Sequence, residues 1–147
     1  MIYLHQWSVL ILAVVALPAW TRPAAAEDVP WRHDYKAART EAADAGRPLI
    51  LEFSSAHCSW CRKMRTTTFS DPVVVDLMSR QFVPLEMSGA QKAALEQALG
   101  IDAYPTVVLA SPDGRVLDVV QGYAAPAEFA GRLQRVLAAM QGDPGMR

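Results

Sequence analysis

Leu49-Ile50-Leu51-Glu52-Phe53-Ser54-Ser55-Ala56-His57-Cys58-Ser59-Trp60-Cys61 is the stretch on which the reading of this chain turns. Leu49 to Ser54 is a short apolar run and reads as a buried strand. Ser55 to His57 is the turn after it, and Cys58 onward reads as a helix to about Thr68, with a weak β-branched end at Thr66-Thr67-Thr68. The two cysteines are therefore a C-x-x-C at a strand-to-helix junction. On a helix, residues i and i+3 share a face with β-carbons about 5–6 Å apart. A disulfide needs about 3.5–4.5 Å, so a modest adjustment joins or parts the two sulfurs. Cys58 at the helix start meets unpaired N–H groups and the positive end of the dipole. Arg62, Lys63 and Arg65 add positive potential within two turns. A thiolate is the attacking species, so this placement lowers the Cys58 pKa and activates it. Cys61, one turn further in, is expected to be more buried and to act as the resolving thiol.

Two other readings compete for the same pair. One is an inert disulfide, but closing a four-residue loop removes little entropy from the unfolded chain. The other is half of a zinc site. Zinc takes about four ligands, and only His57 and the more distant His33 could join the two cysteines, so no metal is expected. The composition agrees. The chain has 147 residues, one domain's worth, with 52% hydrophobic and 20% charged residues and a net charge of −1. No basic stripe calls for nucleic acid, and no glycine-rich phosphate loop is present. Two cysteines exclude both a disulfide-stapled mini-fold and a four-cysteine zinc site.

Outward from the motif, Trp31, Tyr35, Ala38 and Ala42 fall on one face of a preceding helix that Gly46-Arg47-Pro48 ends. Asp71-Pro72 is a cap with proline at the first helical position, for a helix running to about Arg80. Phe82 to Met87 reads as a strand whose Pro84 places it at a sheet edge. Ser88 and Gln91 have capping-box spacing for a helix ending near Gly100. Thr106 to Ala110, the turn at 111–114 and Arg115 to Gln121 read as a hairpin. Phe129, Leu133, Val136, Leu137 and Met140 make the apolar face of a last helix. The order α, β, α, α, β, α, β, β, α predicts an α/β domain: a mixed sheet of about four strands with helices on both faces.

Two further places bear on chemistry. Glu52 lies in the apolar strand six residues before Cys58. A buried carboxyl is pKa-raised and could relay a proton to and from Cys61; the alternative is a strand carboxylate that reaches solvent. Tyr104-Pro105-Thr106 opens the hairpin, where Pro105 is a candidate for a cis bond or an ordinary trans turn.

With these residues in place the chain resembles the thioredoxin superfamily. It is most similar to exported thioredoxin-like proteins related to the carboxy-terminal domain of the thiol:disulfide interchange protein DsbD. The matching segments are Leu49–Phe53, Cys58–Cys61, Thr68-Phe69-Ser70-Asp71-Pro72, Tyr104-Pro105-Thr106, Asp113-Gly114 and Gly122-Tyr123, over about residues 31–140. The resemblance implies Cys58 as nucleophile, Cys61 as resolving thiol and a cis Pro105 beside the disulfide. It also implies that the Tyr104 backbone pairs with a bound partner segment. Glu52 matches the buried acid of the family. His57 stands where the family usually has an aromatic residue; it either tunes the thiolate when charged or is simply solvated. Ser59-Trp60 replaces the familiar Gly-Pro, and Trp60 is either an exposed contact aromatic on the partner face or a packed one.

The function expected is a thiol:disulfide oxidoreductase that exchanges disulfides with protein thiols, as a reductase and a monomer. It needs no cofactor beyond its own cysteine pair, and a membrane electron donor of the DsbD kind is its expected source of electrons. The alternatives are an oxidase or isomerase of the same fold, or a non-enzymatic metal carrier or docking module. Trp7 to Trp20 (WSVLILAVVALPAW), followed by Ala24-Ala25-Ala26, has the layout of a secretory signal over residues 1–26, with the domain at 27–147. An uncleaved anchor is the alternative, since the segment reaches about 20 residues when counted from Met1. Both place the domain outside the cytoplasm, in a periplasmic type of compartment where a cysteine pair has meaning as a disulfide.

Overall fold

The computed structural model describes residues 28–142; the expected signal or anchor, with its boundary after Ala26, lies outside them. Helix α1 spans Tyr35–Ala45. Asp34 caps it, its carboxylate accepting the Ala37 N–H at 2.7 Å, and left-handed Gly46 (φ 62°) ends it. Ala38 and Ala42 are buried, as their spacing predicts. Trp31 is not on this helix, contrary to the periodicity. Arg32 is held extended instead: its N–H donates to the Pro84 carbonyl (2.9 Å) and its carbonyl accepts the Glu86 N–H (3.0 Å). Trp31 packs edge-on against Phe69, in the core layer opposite Ala38 and Ala42.

Strand β1 is Leu49–Phe53, α2 is Ser59–Thr67 and α3 is Pro72–Gln81. Asp71 caps α3 by accepting the N–H groups of Val73 and Val74, with Pro72 at the first helical position, where its missing N–H costs nothing. Strand β2 is Val83–Glu86, α4 is Gly89–Leu99, β3 is Thr106–Ala110, β4 is Val116–Gln121 and α5 is Pro126–Gly142. The expected capping box at the start of α4 is absent. That motif needs helical backbone directly after the cap; Gly89 is left-handed (φ 61°) and the Ser88 side chain makes no capping bond.

The sheet runs β2-β1-β3-β4. β1 pairs parallel with β2 (Leu51↔Leu85) and antiparallel with β3 (Leu51↔Val108), and β3 pairs antiparallel with β4. Pro84 sits on the edge strand, as a residue without an N–H requires. One face carries Ile50, Val107 and Leu109 against Met64, Met78, Phe129 and Leu133 of α2, α3 and α5. The other carries Leu49, Leu51, Phe53 and Val108 against Ala38 and Ala42 of α1. Strand alternation puts Glu52 on the Ile50 face, beneath α2. Register also sets the site: Phe53 pairs with Thr106, so Pro105 arrives at the end of β1 from which the Cys58 loop departs.

Candidate active site

Cys58 is the N-cap of α2, one residue before the helix proper, and is half-buried. Its sulfur accepts the Cys61 N–H at 3.0 Å, filling the place a serine or aspartate oxygen takes in an ordinary cap. The two cysteines form a disulfide with Cα atoms 5.2 Å apart. Cys61 is 6% exposed, so the pair is asymmetric: the first sulfur is the reachable one. α2 is held from behind. The Thr68 hydroxyl, fully buried, donates to the Ala124 carbonyl at 2.6 Å, tying the helix end to the segment before α5.

Glu52 is the one buried acid among the described residues. Burial pushes its carboxyl above the ordinary value; the Ser54 hydroxyl, donating at 3.1 Å, and the Arg65 charge pull the other way but do not win. Arg65 itself is engaged by Glu86 at 2.8 Å, which raises its pKa. A cavity of about 620 Å³ lies here, lined by Ser54, Cys61, Arg62, Arg65, Glu86 and Lys92 among others. Ser54 thus touches the buried carboxyl on one side and the space Cys61 faces on the other.

The raised pKa has a consequence for stability. Between the ordinary carboxylate pKa and the raised folded one, the unfolded chain has lost its Glu52 proton while the folded chain keeps it. The folded state then binds more protons, so stability falls as pH rises through the folded value. Glu52→Gln is expected to be more stable than the parent at and above neutral pH and to lose this slope. Urea titrations at pH 5 and pH 8 check it; a variant less stable at pH 8 contradicts the burial account.

The Tyr104–Pro105 bond is cis. Pro105 is buried, and its carbonyl accepts the Gly122 N–H at 2.8 Å. The Tyr104 hydroxyl donates to Glu96 at 2.6 Å and the Lys92 ammonium lies 4.5 Å from its ring centre, which turns the side chain toward α4. Its backbone N–H and carbonyl make no hydrogen bond among the described residues. Trp60 is 53% exposed, and His57 is exposed with no polar partner among the described residues. No group of three or more His, Cys, Asp or Glu among the described residues is placed to hold a metal ion. No helix there is long and apolar enough to cross a membrane.

A family model described as a thioredoxin-like domain matches residues 35–137. The chain belongs to the thioredoxin-like family. No curated protein matches the sequence. Among solved structures, a thioredoxin from Thermus thermophilus is 28% identical with a TM-score of 0.68, over 76% of this chain and 88% of that one. A DsbH oxidoreductase gives 18% identity and a TM-score of 0.70, over 84% and 94%. The oxidised DsbD carboxy-terminal domain of Neisseria meningitidis gives 18% and 0.62, over 71% and 97%. This thioredoxin-like chain thus has the disulfide-oxidoreductase fold with a Cys58–Cys61 disulfide.

Some features of this thioredoxin-like site escape sequence reasoning. Ser54 reads as the end of a strand, and only the folded chain shows it against Glu52. The Arg65–Glu86 pair joins residues 21 apart. Tyr123, in the sequence only part of the matching segment Gly122-Tyr123, stands 5.7 Å from Trp60, ring centre to ring centre.

Proposed function

We propose that the protein is an exported thiol:disulfide oxidoreductase working as a reductase of protein disulfides. The observation that carries the exchange chemistry is the asymmetric disulfide: Cys58 half-exposed at the positive end of α2, Cys61 buried one turn behind it. In the reduced protein, the Cys58 thiolate attacks a partner disulfide, forming a mixed disulfide and expelling one partner thiolate. Cys61, deprotonated, then attacks Cys58 Sγ; the 58–61 bond forms and the second partner thiolate leaves. The partner gains two electrons and this protein loses them. The Cys61 proton passes toward Glu52 in its ionised form, whose raised pKa makes it a stronger base and whose Ser54 contact opens on the shared cavity.

The free backbone of Tyr104 beside Pro105 supports pairing with an extended partner segment, and Trp60 lies exposed on the same face. His57 adds positive charge near Cys58 when protonated. Export rests on the signal-like layout of residues 1–26, and the reductase direction on the likeness to the DsbD carboxy-terminal domain. An oxidising compartment then requires a donor, for which a membrane protein of the DsbD kind is the natural class.

The reduced protein is expected to accelerate insulin-disulfide reduction with an added dithiol. The Cys58–Cys61 pair is expected to equilibrate near the reducing end of the roughly −270 to −120 mV range of this chemistry. A potential near −120 mV would reverse the direction; no acceleration together with tight stoichiometric metal binding by the reduced form would favour a carrier.

A further inference from the structure

The partner face beside Cys58 carries a feature that disulfide exchange itself does not use. The Lys63 ammonium lies over two adjacent aromatic rings, 4.8 Å from the centre of Trp60 and 4.5 Å from that of Tyr123. Tyr123 is fixed in turn by its hydroxyl contact with Thr67 (3.2 Å) and by Gly122, whose N–H bonds to Pro105. The cluster therefore bridges α2 and the segment after β4, which Gly122 ties to Pro105. An ammonium held against ring faces keeps its charge and loses conformational freedom. Arg62, the preceding residue of α2, is exposed on the cavity that Cys61 also lines and has no side-chain partner among the described residues. α2 carries no acid in Ser59–Thr67, and no carboxylate among the described residues pairs with Arg62 or Lys63. The nearby cations that do have acid partners are Arg65, with Glu86, and Lys92, with Glu96. Two unneutralised cations, Lys63 on the Trp60–Tyr123 side and Arg62 on the side of the Cys61 cavity, thus flank the amino-terminal half of α2, whose start Cys58 caps.

From this charge arrangement we propose that the Trp60–Lys63–Tyr123 platform, with Arg62, selects partner segments that carry acidic side chains flanking the reacting cystine. The occupant is an extended acidic stretch of a partner protein. Its backbone lies along Tyr104, and its carboxylates meet Lys63 and Arg62. This rests on the exchange reading above and names the substrate class for it.

The test uses two cyclic peptide disulfides, identical except for glutamates or lysines on either side of each cysteine. Second-order rates with the reduced full chain are divided by the rates of the same peptides with 2-mercaptoethanol, a neutral thiol, which removes differences intrinsic to the peptides. Taking the acidic-to-basic ratio also cancels any change in Cys58 reactivity between variants. The expected ratio is about 10 at 10 mM salt, where the screening length is about 30 Å, and close to 1 at 1 M, where it is about 3 Å. In the doubly reversed Arg62→Glu, Lys63→Glu variant the low-salt ratio is expected to fall below 1. A wild-type ratio near 1, or a ratio that survives the charge reversal, overturns the proposal and leaves the exchange reading standing. Inertness of the wild-type protein toward both peptides overturns both.

Discussion

Cys58→Ser is expected to lower disulfide exchange by roughly 10³-fold or more, because the reaction begins with a sulfur anion that a hydroxyl does not replace at neutral pH. Cys61→Ser has a different signature. The first attack survives, but nothing is left to displace the captured partner, so a mixed disulfide on Cys58 accumulates and is read as an intact-mass increase. The structure supplies the reason for the asymmetry: Cys58 is half-exposed at the helix cap, and Cys61 is 6% exposed beneath it. Alkylation of the reduced protein is accordingly expected to strike Cys58 at least about tenfold faster than Cys61. Retained turnover in Cys58→Ser, or faster modification of Cys61, sinks the assignment of roles.

Phe129→Ala is expected to cost about 3–5 kcal/mol of folding stability, the range for truncating a large buried aromatic residue. Phe129 is fully buried on α5 and meets Phe69 edge-on at 5.7 Å; Phe69 in turn packs on Trp31 at 5.2 Å. These three rings run in contact from α5, through the segment directly after α2, to the extended segment before α1. Cavity formation at Phe129 therefore also loosens the support of the helix that presents Cys58. Urea unfolding checks the cost: the midpoint should fall with an unchanged slope. A loss under about 1 kcal/mol would mean that neighbours collapse into the space and that α5 is not the prop of α2.

Much of this architecture is legible in local chemistry. Asp71-Pro72 announces α3 because a carboxylate and an N–H-free residue suit those two positions, and both act there as expected. Leu49–Phe53 announces a buried strand because so short a run, apolar on both faces except at Glu52, suits a strand covered on both sides. The failures are equally physical. Trp31 has helical spacing from Tyr35, yet hydrogen bonds to β2 hold its neighbour Arg32 extended, and that pairing lies more than fifty residues away. Ser88 and Gln91 have the spacing of a capping box, but Gly89 takes a left-handed turn between them.

By its sequence alone this chain determined the order of elements, the strand-to-helix junction that carries Cys58 and Cys61, and the presence of an acid in the strand beneath them. Each depends on neighbours a few residues apart, where spacing and residue type suffice. Tertiary structure alone decided the rest: the strand order β2-β1-β3-β4, the arrival of Pro105 at the end of β1, the contact of Ser54 and the cavity with Glu52 and Cys61, and the place of Lys63 over Trp60 and Tyr123. The reason is that most such contacts join residues tens of positions apart, and even the Ser54–Glu52 contact, two residues apart, acquires its effect from burial that distant segments supply. Their partners are chosen by how the two faces of one sheet are covered, and no local period records that choice.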